Sequence, residues 1–200
     1  MIFKSARHWI RLGLAGVAVS LLLVTACSDD DDNGSGNSGS TAAATATTAP
    51  PTQAAPETIE ITAVDYAFQD VPQTVAVGTT FTLVNDSTVE LHELVAVRIA
   101  DTETRPVEEL LELSDEELGG AIAEEPAMVI IAPPGSEGMA VVGDGSFTEP
   151  GRYALVCFIP TGADPQAFLD SAEEEEDGPP NVEGGPPHIV QGMFGQVIVE

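Results

Sequence analysis

The sequence predicts an all-β domain, a sandwich or barrel of about eight short strands with one short helical insertion, carried behind an export signal and a tether. Three observations support this. Short runs alternating at period two recur from residue 58 to residue 199. Gly/Pro turns separate most of them, as at Pro133-Pro134-Gly135, Gly143-Asp144-Gly145 and Pro150-Gly151. Residues 57–200 are also long enough for one domain with its own core and do not require a second.

The strands follow in order. Thr58 to Val64 alternates as a half-buried strand should, and Val71 to Val77 continues the β pattern. Gly78 makes a turn, Thr80 to Val84 alternates again, and Asn85-Asp86-Ser87 breaks the run. Leu91 to Ile99 is next, with Leu91, Glu93, Val95, Val97 and Ile99 expected on one face and His92, Leu94, Ala96 and Arg98 on the other. Met128 to Ala132, Met139 to Val142, Tyr153 to Ile159 and Gln196 to Val199 complete the set. Between them Pro106 suits the first turn of a helix, with Val107, Leu110 and Leu111 at helical spacing. Ser114-Asp115-Glu116-Glu117 reads as a capping box opening a second turn, which Gly119-Gly120 weakens. Together these form a short excursion expected to cover one end of the sandwich.

The amino terminus is of a different kind. Lys4, Arg7 and Arg11 form a basic region, Leu12 to Leu23 is apolar, and Val24-Thr25-Ala26-Cys27 follows. Residues 1–26 thus match a secretory signal. The apolar stretch is shorter than the roughly 20 residues of a spanning helix. Small residues before a cysteine resemble a bacterial lipobox, which implies cleavage before Cys27, lipidation of its sulfur and anchoring on the extracytoplasmic face of a cell membrane. Residues 27–56 run from Asp-rich through Gly/Asn/Ser to Ala/Thr/Pro with almost nothing to bury, and so read as a disordered tether. A coil of that length spans roughly 30 Å.

Composition narrows the partners. The six basic residues are Lys4, Arg7, Arg11, Arg98, Arg105 and Arg152, and the first three leave with the signal. The remainder carries 33 acidic against 3 basic residues. Such a surface repels nucleic acid and anionic lipid head groups, and it can steer a basic redox partner. Solubility or a high-salt habitat would explain the charge equally well. Strong like charge argues mildly for a monomer.

The chemistry-bearing residues are few. Beyond residue 26 the histidines are His92 and His188, and with Cys27 lipidated Cys157 has no intrachain disulfide partner. An odd cysteine in an exported chain suggests a ligand, a reactive thiol or intermolecular pairing. Taken singly, each residue has a plainer reading: Cys157 as a small hydrophobe, His92 as a hydrogen-bonded histidine, Met193 as core filler, His188 as a loop residue. No catalytic triad, zinc-protease motif, phosphate loop or dinucleotide fingerprint is present.

Taken jointly, three pieces in order resemble the cupredoxin family of plastocyanin- and azurin-like domains. They are Gly78-x2-Phe81-x-Leu83-x-Asn85 with His92 opening a strand, then Pro150-Gly151-x-Tyr153-x3-Cys157, then His188-x3-Gly192-Met193 with Val197 and Val199 in the last strand. The resemblance implies a Greek-key sandwich holding one type 1 copper. It makes His92 and His188 the imidazole ligands, Cys157 the thiolate and Met193 the long axial thioether. Two imidazoles and a thiolate suit a trigonal site tuned by a weak axial ligand. Asn85 resembles the asparagine that would steady the loop holding Cys157. The implied function is one-electron transfer between protein partners, with His188 near the surface as the exit inside an apolar patch of Pro186, Pro187, Ile189 and Phe194. Copper delivery and a metal-free interaction module are the alternatives. A redox enzyme is not expected, because no histidines remain for a catalytic copper.

One departure stands out. Thirty residues separate Cys157 from His188, where the family has two to eight. The 160–187 insert is expected to be a long acidic and Gly/Pro-rich loop. Closing it costs only about 1.2 kcal/mol more than closing eight residues. The expected harm is a looser His188.

Overall fold

The computed structural model describes residues 56–174, 180 and 182–200, which fall in one compact unit. The export signal, Cys27, the tether up to residue 55 and the end of the acidic run lie outside the described residues.

Among the described residues nine strands form two sheets. The smaller has the order β2 (Ala67–Gln69), β1 (Thr58–Val64), β4 (Thr80–Asn85). The larger runs β3 (Thr74–Val75), β9 (Phe194–Val199), β8 (Gly151–Val156), β5 (His92–Ile99), β6 (Met128–Ala132), β7 (Met139–Val142). Pairing is antiparallel except for β1 with β4 and β3 with β9. The β pattern expected over residues 71–77 shrinks to the two residues of β3.

β5 lies between β8 and β6, so its backbone is hydrogen-bonded on both sides. The expected alternation of a half-buried strand is absent there: every residue of β5 except Arg98 is buried. A strand this deep is covered on both faces and reads as a nearly continuous apolar run. Aromatic rings join the layers. Phe81 of β4 meets Phe147 edge-on at 4.9 Å, and Phe147 meets Tyr153 of β8 at 4.9 Å. Gly145 allows this closure, because a Cβ there would stand 2.7 Å from the Phe81 carbonyl and its φ is +86°.

Two excursions leave the large sheet. The first carries α1 (Val107–Leu110) and α2 (Asp115–Ala121). Ser114 and Glu117 form the expected reciprocal capping box, and the helix continues through Gly119-Gly120. The second lies inside the 160–187 insert and holds α3 (Pro165–Glu174). The sequence reading expected only loop here. Asp164 starts the helix by accepting from the Ala167 amide at 2.8 Å, and Phe168 anchors it in the core. Among the described residues no helix is long and apolar enough to cross a membrane.

Candidate metal centre

The register of β5 and β8 brings the site together. Val95 faces Val156, so His92 at the start of β5 and Cys157 just past β8 reach the same end of the sheet. The Glu93 amide points at Cys157 Sγ at 3.5 Å. Beyond the ladder the Cys157 amide donates to the Met193 carbonyl at 3.2 Å, and the Ile189 amide donates to the Cys157 carbonyl at 2.8 Å. A 3₁₀ turn over His188–Gln191 then presents the second imidazole. Gly192, at φ +104°, closes that turn in the left-handed conformation, and the Met193 amide returns to the His188 carbonyl at 3.1 Å.

His92, Cys157 and His188 are fully buried, and their donor atoms lie within 4.8 Å of one another. The two Nδ1 atoms face each other at 3.2 Å, and Cys157 Sγ stands 3.4 Å from His188 Nδ1. Three atoms able to offer a lone pair thus lie side by side in one buried cluster. Metal–nitrogen bonds of about 2.0–2.1 Å let both nitrogens reach one ion across such a gap. Burial lowers the pKa of both imidazoles, that of His92 to about 4, so both are neutral ligands at pH 7. Burial, with the Glu93 carboxyl adding to it, pushes the Cys157 thiol up. Without a cation this sulfur stays protonated; a soft metal ion would displace the proton. The donor set therefore fits one copper ion.

Met193 is buried, with its backbone bonded to both Cys157 and His188. Asn85 serves a different loop from the one expected. Its Nδ2 donates to the carbonyls of Glu90 at 2.9 Å and Ala132 at 2.8 Å, and its Oδ1 accepts from the Ser87 amide at 2.9 Å. Ala132 is the β6 partner of His92, so Asn85 holds the approach to His92 rather than the Cys157 loop.

Two further expectations are corrected. His188 is not loosened by the long insert. The insert is pinched at its base: His188 donates to the Ile159 carbonyl at 2.9 Å, Thr161 to Pro186 at 3.1 Å and Gly185 to Thr161 at 2.8 Å. Nor does His188 reach the surface. Tyr66 packs edge-on against its ring at 5.0 Å, and Glu90 stands behind it. In the expected apolar patch Ile189 is buried, Pro187 and Phe194 are half-buried, and only Pro186 is exposed.

Sequence reasoning missed three groups. Tyr66 and Glu90 back His188, and Glu93 sits beside Cys157. Glu93 accepts from the Phe158 amide at 3.0 Å, and its burial raises its pKa to about 7. An acidic residue alternating with apolar ones in a strand signalled Glu93 weakly. Nothing local distinguished Glu90 among 33 acidic residues.

No protein-family model matches the sequence, and the comparison with curated proteins found no match. Similar solved structures include an auracyanin from the photosynthetic bacterium Roseiflexus castenholzii, at 21% identity and TM-score 0.40, covering 72% of this chain and 96% of that one. Auracyanin A, a "blue" copper protein from Chloroflexus aurantiacus, matches at 18% identity and TM-score 0.41, covering 73% and 100%. Rusticyanin matches at 14% identity and TM-score 0.34, covering 74% and 83%. At these scores the fold rests on the strand order of this chain and the site on its own geometry.

Proposed function

We propose that this chain is a type 1 copper protein that carries single electrons outside the cytoplasm, anchored to the membrane through a lipid on Cys27. The observation that carries the reading is the convergence of His92 Nδ1, His188 Nδ1 and Cys157 Sγ in a fully buried cluster. Bound copper would supply a one-electron couple. The protein's part is to hold both imidazoles and the thiolate still, so that little has to move when charge changes, and to keep water away. Met193, buried beside the cluster, would offer its thioether as a further weak ligand.

The partners are redox proteins with a basic docking face. Arg98 and Arg152 lie at the end of β5 and β8 remote from His92 and Cys157, and Arg105 joins Arg152 there through its backbone carbonyl. Arg98 is occupied by Asp101 and Arg105 by Glu103. That distribution leaves the metal end free of arginine among the described residues and supports steering of a cationic partner toward it. A monomer is expected.

Burial also favours electron carriage over copper delivery, since ion exchange needs ligands an acceptor can reach. The test is Cu(II) titration of the purified protein watched by visible absorption, with Cys157→Ala alongside. A strong thiolate-to-copper band that the variant lacks is the expected outcome. Tight Cu(I) binding without that band would move the reading to copper handling, and no binding in either state would leave an interaction module.

A further inference from the structure

The Glu90 carboxylate occupies a place unlike that of the other acidic groups. The residue is 8% exposed. Its oxygens accept from the Gly162 amide at 3.0 and 3.3 Å and from the Tyr66 hydroxyl at 3.4 Å. Oε2 also stands 3.4 Å from His188 Nε2, an ion-pair distance just outside hydrogen-bond geometry. That nitrogen is buried and has no hydrogen-bond partner among the described residues. Three segments therefore meet on one carboxylate: the β1–β2 turn through Tyr66, the start of the long insert through Gly162, and the turn carrying His188. Tyr66 holds a left-handed backbone, φ +63°, and packs its ring edge on the imidazole.

We infer that Glu90 is a positioning residue for the second metal imidazole. It holds His188 in the Nε2–H tautomer, which leaves Nδ1 bare toward Cys157 and His92. Which ring nitrogen carries the proton is set by the partner of the other, and a carboxylate behind a ligand histidine fixes ring orientation and raises ligand basicity. Because Gly162 binds the same carboxylate, the base of the insert is tied to the orientation of the ligand. The added negative charge favours the more highly charged metal state, so it lowers the reduction potential. The potential effect rests on the copper reading above; the tautomer does not.

The test has two arms. In the metal-free protein, long-range proton–nitrogen NMR should show His188 protonated at Nε2, with that proton protected from solvent. Glu90→Leu should speed its exchange about tenfold or more, as expected for loss of a charged acceptor. Where that variant fails to fold, Glu90→Gln carries the measurement, its neutral acceptor giving a smaller rise in exchange. An Nδ1–H tautomer in the wild type, or unchanged exchange in a folded variant, overturns the inference. In the copper-loaded protein, Glu90→Gln should lower the ratio of Cu(II) to Cu(I) affinity about tenfold, a rise of about 59 mV for one electron. An unchanged potential removes the electrostatic half of the inference. A wild type that takes no copper defeats the proposed function, yet the first arm still decides the role of Glu90.

Discussion

The two excursions from the large sheet differ in where they close. Residues 100–127 leave after β5 at the end remote from His92 and Cys157. They are shut at the base by Ala100 donating to Ala121 at 2.9 Å and Ala123 donating to Arg98 at 2.8 Å. Residues 160–187 leave at the metal end and are shut by the Thr161–Pro186 and Thr161–Gly185 pairs. The first is held by arginine: Arg152 donates to the carbonyls of Arg105 at 3.0 Å and Glu103 at 2.8 Å. The second is held by backbone pairing and by carboxylates, Glu90 on Gly162 and Glu93 on Phe158. An insertion therefore costs the site little when its two ends are already paired, whatever lies beyond. Glu93 also makes this end sensitive to pH in a way the arginine clasp is not, because burial raises its pKa to about 7.

The largest expected effect tests that contrast. Glu93 has a raised pKa, so between about 4.5 and 7 the folded state binds more protons than the unfolded state. Its contribution is full below the unfolded value and is lost as pH rises through the folded one. His92 and His188, both lowered, act in the opposite sense, losing stability as pH falls below about 6.5. They are common to wild type and variant and cancel in a difference. Urea unfolding of metal-free protein should thus show the advantage of Glu93→Gln over wild type growing by about 3 kcal/mol from pH 4 to pH 8. A constant difference would remove the carboxylate clasp from the comparison.

Arg152→Ala should come next. Losing charge-assisted bonds to two carbonyls should destabilise the domain by about 1.5–3 kcal/mol, with the copper spectrum unchanged. A changed spectrum would mean that the two ends communicate. Gly184→Ala attacks the other base directly, because its Cβ would stand 2.5 Å from Pro160 Cβ and 3.2 Å from the Thr161 carbonyl. Copper affinity should fall about tenfold, or about 1.4 kcal/mol, through a displaced His188. The smallest effect is expected from replacing residues 165–182 with a short Gly/Ser link that spares the paired base. Loop length enters only logarithmically, so copper affinity should change by less than about 1 kcal/mol. A large loss would show that α3 itself supports the site.

Much of this arrangement was legible in the chain. Period-two runs separated by Gly/Pro turns marked the strands, and Ser114 with Glu117 announced a helix start that the structure contains. Beyond residue 27 the chain has two histidines and one cysteine, a short list of strong ligands, and His92, Cys157 and His188 do converge. The helix α3 had a readable signal, Asp164 capping a Pro165 start, which the surrounding acidic and Gly/Pro composition masked. Glu90, Tyr66 and Gly162 had none, because they are 24 and 72 residues apart and meet only across folded segments.

The succession of strands along the chain, the first helical excursion and the ligand types were determined by the sequence alone, since they follow from local periodicity, turn chemistry and the scarcity of histidine and cysteine. Tertiary structure decided what surrounds those ligands. Burying both faces of β5, pairing the base of the insert and closing Tyr66 and Glu90 over His188 depend on long-range register. Register is an energy shared among segments distant in the chain, so no local pattern encodes it.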